Sequence, residues 1–342
     1  MSRPVRSVLV SRPGEFRLVE GPAPEPGPGE VRVAVHAAGV CASDRELFDG
    51  TRPAAYVRYP VVPGHEWSGT VEAVGEGVDP ALLGRGTVAE GFRACQRCER
   101  CRAGEPTLCT TGYAETGFTE PGAFADQLIV PARLLHLLAP EVDLTSAALL
   151  EPAAVVAAAV LRAAPRAGER VAVLGCGTLG LLAVQLLGAS SPVELLAVDP
   201  RPRPLALAAE LGASRAVTPE RLDDERGRFD LVLETAGAPG TAADACRLAR
   251  RGGRVVLTGV PEPGARGLDP VELLVNQLSV HGVFGAPPAA WSYAVHCFNH
   301  GLLRPEKLVS HQLPLASFGE AMRLVGSGDP EVGKVLLRPG AR

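Results

Sequence analysis

Up to about residue 150, apolar and polar positions alternate in short runs that are typical of β-strands. The runs are SVLVS, VRVAVHAAGV, TVEAVG, GTVAEG and DQLIV, and they are separated by turns rich in glycine and proline, such as GPAPEPGPGE. Alternation with a period of two directs one face of a strand toward a core and the other toward solvent. We therefore predict a β-rich domain with barrel-like or rolled sheets in this part of the chain.

The pattern changes after this region. Residues 144–163 read LTSAALLEPAAVVAAAVLRA, a long alanine-rich composition that favours a helix. The strand-like runs VAVLG, LLAVD, LVLETAG and VVLTGV then alternate with helix-like stretches, as in parallel βαβ units. After about residue 290, WSYAVHCFNHG and the closing GKVLLRP leave this alternation. Because 342 residues exceed what one core usually organises, two domains are expected.

Composition narrows the class of protein. A hydrophobic fraction of 46% and a charged fraction of 21% describe an ordinary globular chain that needs no disulfides to fold. The net charge of -4 argues against nucleic acid as a partner. The start of the chain has no apolar run of signal-peptide length, and no segment has the apolar length of a membrane span. We therefore expect a cytoplasmic protein with no membrane partner, in a compartment where disulfides are rare.

Four cysteines fall within the stretch ACQRCERCRAGEPTLC. Cys95, Cys98, Cys101 and Cys109 have the spacing C-x2-C-x2-C-x7-C, in which ligands two residues apart can reach one ion from a tight loop. Four thiolates close a tetrahedral zinc shell and leave no position for a substrate, so the spacing favours a structural zinc site. An iron–sulfur cluster and unligated thiols are the alternatives that the spacing leaves open.

A glycine-rich turn follows the strand-like run VAVLG. Gly175, Gly177 and Gly180 form G-x-G-x-x-G at the start of a helix-like run. In the dinucleotide-binding fingerprint the first glycine permits the tight turn, the second admits the pyrophosphate, and the third allows close helix–strand packing. The alternative is a glycine-rich turn with no ligand. The strand before the turn and the helix after it favour a dinucleotide site.

The choice of dinucleotide depends on the end of the next strand-like run. Asp199 ends LLAVD, close to the position from which an acidic residue binds the adenosine ribose. A carboxylate there repels a 2′-phosphate, which favours NAD over NADP. Arg201 and Arg203 lie close enough in sequence to weaken that preference.

A second set of potential ligands lies in the first domain. Cys41, in GVCASDRELFDG, and His65 and Glu66, in PVVPGHEWSG, offer a thiolate, an imidazole and a carboxylate. This mixture is typical of a zinc site that keeps one position open for a substrate. Taken singly, each residue also has an ordinary explanation, such as a small buried apolar cysteine.

In this order along the chain, the motifs resemble those of the zinc-dependent medium-chain dehydrogenase/reductase family, the alcohol and polyol dehydrogenases. The resemblance extends from the GEVRV strand to the terminal GKVLL. It implies an α/β fold with a GroES-like, β-rich catalytic domain and a Rossmann domain with a doubly wound parallel sheet. The implied boundaries are residues 1–152 for the catalytic domain, with a structural-zinc lobe at about 93–112, residues 153–290 for the NAD-binding domain, and residues 291–342 for a segment that returns to the catalytic domain.

The resemblance also implies roles for individual residues. Cys41, His65 and Glu151 match the ligands of a catalytic zinc, and Glu66 matches a carboxylate that can exchange on and off this metal. The four cysteines of the loop match the ligands of a structural zinc, which gives two zinc ions per chain. Ser43 matches the hydroxyl that conducts the substrate proton, and Glu46 stands where many relatives carry a relay histidine. The implied cofactor contacts are Gly175, Gly177, Thr178, Leu179, Gly180, Asp199, Arg203 and Lys334.

The implied reaction is oxidation of a secondary hydroxyl to a ketone, or the reverse, by zinc-alkoxide formation and hydride transfer to nicotinamide. The Glu151–Pro152 pair resembles the polyol and sugar branch, and the run HEWSG resembles bacterial aminocyclitol dehydrogenases. The expected substrate is therefore a polyol, a sugar or an aminocyclitol, and the family implies a homodimer or homotetramer. The alternatives are a simple secondary alcohol dehydrogenase or ketone reductase of secondary metabolism, a zinc-free reductase, and a non-catalytic dinucleotide-binding protein of the same fold. Substrate contacts are suspected for Phe48, Arg52, Tyr56, Trp67, Glu115, Phe284 and Trp291.

Overall fold

The computed structural model describes residues 4–261, 264–265 and 267–340. The strands in these ranges are β1 (Val5–Arg12), β2 (Glu15–Gly21), β3 (Glu30–Val40), β4 (Glu66–Val74), β5 (Gly86–Ala89), β6 (Phe92–Ala94), β7 (Tyr113–Glu115), β8 (Gln127–Pro131), β9 (Leu135–Leu137), β10 (Arg170–Leu174), β11 (Glu194–Val198), β12 (Arg215–Val217), β13 (Phe229–Glu234), β14 (Ala249–Leu257), β15 (Ser279–Gly282), β16 (Val309–Pro314) and β17 (Lys334–Arg338). The helices are α1 (Ala42–Asp49), α2 (Glu99–Arg102), α3 (Leu144–Ala147), α4 (Leu150–Ala163), α5 (Thr178–Gly188), α6 (Pro202–Glu210), α7 (Thr241–Leu248), α8 (Pro270–Asn276), α9 (Pro288–Asn299) and α10 (Phe318–Val325).

The chain forms two compact units. Unit 1 is made of Met1–Glu151, Pro287–Asn299 and Leu308–Arg342, and unit 2 of Pro152–Ala286 and His300–Lys307. The alanine-rich run at 144–163, which reads as one helix in the sequence, contains two helices, α3 and α4. No helix in the described ranges has both the length and the apolar character needed to cross a bilayer.

Unit 1 is built around a sheet with the strand order β16-β17-β3-β4-β5-β9, and β8 also pairs with β3. The sequence of β3, EVRVAVHAAGV, alternates as predicted, and its valines at alternate positions are buried. They belong to a core that includes Val33, Phe124 and Phe318, each at most 1% exposed. The late strand β17 pairs antiparallel with β3, so this core contains both early and late parts of the chain.

Unit 2 contains a six-stranded parallel sheet with the order β12-β11-β10-β13-β14-β15. This is the strand order of a doubly wound dinucleotide-binding fold, and it confirms the predicted Rossmann class. The strands β10, β11 and β13 are almost entirely buried, as expected when helices cover both faces of a parallel sheet. In the run from GGRVVLTGV to LSVHGVFG, β14 is interior and β15 is the edge strand of this sheet.

Candidate functional site

The cysteine loop lies between β6 and β7, with the short helix α2 inside it. The sulfur atoms of Cys95, Cys98, Cys101 and Cys109 all lie within 4.8 Å of one another. The Sγ–Sγ distance is 3.9 Å for Cys95 and Cys101 and also for Cys98 and Cys109. A disulfide needs about 2.05 Å, whereas a tetrahedron with Zn–S bonds of about 2.3 Å has edges of about 3.8 Å. The spacing of these sulfurs therefore fits a metal and excludes a disulfide.

Backbone amides of the loop point at the sulfurs. The N–H of Cys98 donates to Cys95 Sγ at 3.4 Å, and the N–H of Cys101 donates to Cys98 Sγ at 3.5 Å. Hydrogen bonds led by the Arg97 N–H lower the pKa of Cys95 to about 5, and those led by the Cys101 N–H lower the pKa of Cys98 to about 7. Burial and the neighbouring thiols instead raise the pKa of Cys101 to about 12. The loop thus favours the thiolate form that metal ligation requires at Cys95 and Cys98, while Cys101 needs a bound cation to stabilise its thiolate.

A second cluster gathers Cys41, His65 and Glu66, whose ligand atoms lie within 4.8 Å of one another. Cys41 follows β3 and is the N-cap residue of α1, while His65 directly precedes β4 and Glu66 begins it. Because Gly39 of β3 is paired with Glu66 in the sheet, the ends of the two strands bring the three residues together. His65 and Glu66 are buried, and Cys41 is partly accessible.

Asp44 is a functional residue that our sequence reasoning missed. Its carboxylate is 1% exposed, accepts the N–H of Cys41 at 2.9 Å, and lies 3.3 Å from Nδ1 of His65. The other ring nitrogen of His65, Nε2, lies 3.5 Å from the Ser43 hydroxyl. A carboxylate behind one nitrogen of a ligand histidine fixes the tautomer and the orientation of the ring. Its sequence signal was its place three residues after the N-cap Cys41, where a carboxylate can close a capping box.

Glu66 is also held by a cation from the end of the chain. Lys334 Nζ donates to Glu66 Oε1 at 2.6 Å, and both side chains are buried. Burial alone would lower the pKa of Lys334, but the charges of Glu66, Cys41 and Asp44 and the hydrogen bond to Glu66 together outweigh burial and raise it. A Cβ added at Gly39 would lie 2.2 Å from Glu66 Oε2, so this packing requires glycine at position 39. The predicted cofactor residue Lys334 thus lies beside the metal-ligand cluster.

Glu151 lies in the first turn of α4, outside the tight cluster of three ligand atoms. Burial raises the pKa of its carboxyl to about 7, and the charge of Glu66 adds to this rise while those of His65 and Lys334 oppose it. Glu151 is thus buried within electrostatic range of the same group of side chains. A cation among them would favour the ionised form of Glu151.

Glu46 is exposed on α1. The nearby arginines bind other carboxylates, Arg45 that of Asp49 at 2.6 Å and Arg52 that of Glu115 at 2.9 Å. These ion pairs do not support an explanation of Glu46 as the partner of one of these arginines.

The Arg52–Glu115 pair is almost fully shielded from solvent, with side chains 12% and 11% exposed. The Arg52 guanidinium lies 3.7 Å from the centre of the Phe118 ring, and this ring lies 4.8 Å from the imidazole of His65. Burial raises the pKa of Glu115, and the charge of Arg52 opposes the rise. The pair is thus linked through the Phe118 ring to the imidazole of His65.

The other suspected substrate contacts have varied surroundings. Trp67 and Trp291 are core residues at 3% and 2% exposed, and Phe48 packs against the unit 1 core. Tyr56 stacks on Tyr113 of β7, with ring centres 6.3 Å apart. Phe284 is 61% exposed in unit 2.

The glycine-rich turn of unit 2 lies between β10 and α5, as predicted. Gly175 has φ +90°, and a Cβ at Gly180 would lie 1.7 Å from the Gly175 carbonyl oxygen, so both positions require glycine. Gly177 is the N-cap of α5, without a side-chain cap, and a Cβ there would meet nothing within 4 Å. Thr178 and Leu179 form the first turn of this helix. The uncapped N–H groups and the open space at Gly177 together suit an anionic pyrophosphate.

We expect Asp44→Asn to lower metal affinity at the His65 cluster or turnover by about ten- to a hundredfold, the usual effect of removing such a carboxylate. The asparagine amide preserves size but removes the negative charge that faces His65 Nδ1. Metal content and steady-state kinetics measure the effect. Asp49→Asn, an exposed substitution on the same helix, is the control. Equal behaviour of the two variants would contradict the role given to Asp44.

Known proteins resemble this chain over nearly its whole length. Residues 27–140 match the family model described as the alcohol dehydrogenase GroES-like domain, and residues 178–300 match the model described as zinc-binding dehydrogenase. L-threonine 3-dehydrogenase of Bacillus subtilis (strain 168) is 31% identical over 97% of this chain and 98% of its own length. Sorbitol dehydrogenase of Halalkalibacterium halodurans is 31% identical over 95% of this chain and 96% of its own length.

Solved structures of other proteins are also similar to the fold of this chain. A protein of Sinorhizobium meliloti 1021, described as a zinc-binding dehydrogenase and solved bound to NADP, superposes with a TM-score of 0.92 at 28% identity. The superposition covers 99% of this chain and 100% of that protein.

Proposed function

Because this chain belongs to the zinc-dependent medium-chain dehydrogenase/reductase family, we propose that it oxidises a secondary hydroxyl of a polyol, sugar or aminocyclitol to a ketone, or reduces the ketone. Its membership makes it an alcohol dehydrogenase that uses a nicotinamide cofactor. The observation that carries the finer proposal is the convergence of Cys41, His65 and Glu66, with Asp44 behind the imidazole. The cluster has the mixed donor set of a site that keeps a position open for a substrate.

The residues present fit two zinc ions. We assign the catalytic ion to Cys41, His65 and Glu151, with Glu66 as the exchanging carboxylate that Lys334 holds when it is off the metal. We assign the structural ion to the four cysteines of the loop, whose sulfur spacing matches a tetrahedral thiolate shell.

Each remaining part of the site has a separate task. When bound, zinc supplies a Lewis acid that lowers the pKa of a substrate hydroxyl, and nicotinamide supplies a hydride acceptor. The Ser43 hydroxyl, close to His65 Nε2, receives the proton that the substrate loses and passes it outward. Glu46 is exposed on the same helix. The proton passes either to the Glu46 carboxylate or directly to water.

We also propose that the catalytic domain is residues 1–152 with residues 291–342, and that residues 153–290 form the cofactor-binding domain. Unit 1, with its metal-ligand clusters, and unit 2, with its glycine-rich turn, support this division. The unit boundaries differ slightly, since Pro287–Asn299 belongs to unit 1 and His300–Lys307 to unit 2.

The substrate class rests on three further observations. A glutamate occupies position 151, as in the polyol branch of the family, and the relatives above are named for L-threonine, a hydroxy amino acid, and for sorbitol, a polyol. The shielded Arg52–Glu115 pair next to Phe118 provides charged groups near His65. Charged and hydrogen-bonding groups suit a substrate with several hydroxyl or amino groups, whose polar atoms lose water on binding.

A substrate screen with metal analysis tests the proposal. Polyols, sugars and aminocyclitols, with simple secondary alcohols for comparison, are followed by the absorbance of reduced nicotinamide. We expect about two zinc ions per chain and faster turnover of a substrate with several hydroxyls. Preference for a simple alcohol would favour the secondary alcohol dehydrogenase, and one zinc ion without turnover would favour the non-catalytic protein.

The role of Glu46 has its own test. We expect Glu46→Gln to slow oxidation by about tenfold while cofactor affinity stays nearly unchanged, because only proton removal loses its acceptor. Glu76→Gln, an exposed substitution elsewhere in unit 1, is the control. A kcat equal to that of the parent from about pH 6 to about pH 10 would assign proton release to water.

We further propose that the protein is a homodimer or homotetramer that assembles through unit 2. The strand β15 is the edge of its sheet, and exposed apolar side chains lie on α8 and in the segments that follow β14 and β15: Val260, Val271, Leu274, Val275 and Phe284. Such a concentration of exposed apolar side chains is typical of an association surface.

A further inference from the structure

Asp199, at the end of β11, is covered by an arginine two residues later in the chain. Arg201 Nε donates to Asp199 Oδ1 at 2.8 Å, and Arg201 Nη2 donates to Oδ2 at 3.0 Å. The backbone N–H groups of Arg201 and Cys176 add one bond to each oxygen, at 2.9 and 2.7 Å. The Asp199 side chain is 3% exposed and that of Arg201 is 41% exposed, so the guanidinium lies on the solvent side of the carboxylate.

These four hydrogen bonds occupy all the acceptor positions of the Asp199 carboxylate. A carboxylate has about four lone-pair positions, and here each oxygen already accepts two N–H groups. A ribose diol that donates to Asp199 must therefore first displace the Arg201 side chain. NAD is usually selected by a carboxylate whose oxygens are free to accept hydrogen bonds from the ribose diol. In this conformation the oxygens of Asp199 are not free.

The same arrangement suits a 2′-phosphate. A guanidinium has five N–H groups, and Arg201 spends two of them on the carboxylate, so about three remain for phosphate oxygens. The positive charge of Arg201 offsets the negative charge of Asp199, which removes the repulsion that the sequence alone predicts. A phosphate can thus bind while the Asp199–Arg201 pair stays intact.

We propose that Arg201 determines cofactor choice in this protein by blocking the ribose-binding carboxylate and supplying a site for the 2′-phosphate, so that NADP binds at least as tightly as NAD. This inference rests on the proposed function, since it requires a nicotinamide dinucleotide on the turn at Gly175–Gly180. It replaces the expectation of an NAD preference drawn from Asp199 alone.

Binding titrations of the full-length protein with NADH and NADPH, followed by nicotinamide fluorescence, test the proposal without turnover. We expect the parent protein to bind NADPH at least as tightly as NADH. Arg201→Ala should bind NADPH about tenfold or more weakly and NADH more tightly, because the phosphate loses its partner and the diol gains the carboxylate. The affinities of Arg201→Lys for the two cofactors should lie between those of the parent protein and those of Arg201→Ala, since lysine keeps the charge but not the planar guanidinium.

The control is Arg221→Ala, which removes an arginine from an exposed pair with Asp224 in the same unit and should leave both affinities unchanged. A parent protein that prefers NADH by about tenfold or more would overturn the inference, as would an Arg201→Ala variant whose ratio of affinities equals that of the parent. Binding of neither dinucleotide would instead contradict the proposed function. Titration with 2′,5′-ADP and with AMP assigns the effect to the adenosine end, where only the first ligand should weaken in Arg201→Ala.

Discussion

Cys41→Ser is expected to lower turnover by at least about a thousandfold, or roughly 4 kcal/mol of transition-state stabilisation. Serine keeps the size of the side chain but loses the thiolate, which is one of the proposed ligands of the catalytic zinc. Cys41 lies at the start of α1, after the strand β3, and its sulfur is not part of the core. Folding should therefore be largely preserved, and metal content should fall from about two ions per chain to about one.

Zinc analysis, thermal melting and steady-state kinetics measure these three effects together. Ala42→Ser places the same hydroxyl on the next residue, which is exposed, and should leave turnover and both zinc ions in place. Full zinc content in Cys41→Ser with turnover near that of the parent would contradict the assignment of the catalytic site.

Cys98→Ser should mainly lower the stability of the protein, whereas Cys41→Ser should mainly lower turnover. It removes one of four sulfurs in the loop, and the remaining three leave the metal shell incomplete. We expect loss of the structural zinc and a stability decrease of roughly 3 kcal/mol or more, because such sites contribute directly to folding. At about 2–4 °C per kcal/mol, the melting temperature should fall by roughly 6 °C or more.

Arg97→Ala is the matched control in the same loop. The Arg97 side chain is exposed, and its backbone N–H, which lowers the pKa of Cys95, is unaffected by the change. Cys98→Ser with unchanged melting and unchanged metal content but no turnover would show that the loop is not a structural site.

Local spacing was enough to predict which potential ligands lie close together. The four cysteines, the pair His65–Glu66 and the glycine-rich turn each lie within one short stretch of chain, so their geometry follows from local turns and strand ends. The alternation of strand-like and helix-like runs likewise predicted the parallel sheet of unit 2, because buried parallel strands need continuous apolar sequence.

What the sequence could not provide are contacts that depend on side-chain direction or on distant parts of the chain. Arg201 was recognised as a neighbour of Asp199 in the sequence. The hydrogen bonds from its guanidinium to both carboxylate oxygens depend on the turn that precedes α6. The bond between Lys334 and Glu66 joins residues 268 positions apart, and no local pattern contains it. Asp44 was visible in the motif, yet its role required the helix that brings it behind His65.

The pairing of β17 with β3 also constrains the order in which the two units can finish folding during synthesis. The strand β3 and the ligands Cys41, His65 and Glu66 are synthesised early, but β17 and Lys334 emerge only after the whole of unit 2 has been made. Parts of a chain fold as they emerge, and pairing between distant segments waits for the later one. The Rossmann unit can therefore be complete while the other unit still lacks an interior strand of its sheet and the cation that holds Glu66. An interrupted chain would retain a cofactor fold, but Glu66 would be without the buried lysine that pairs with it.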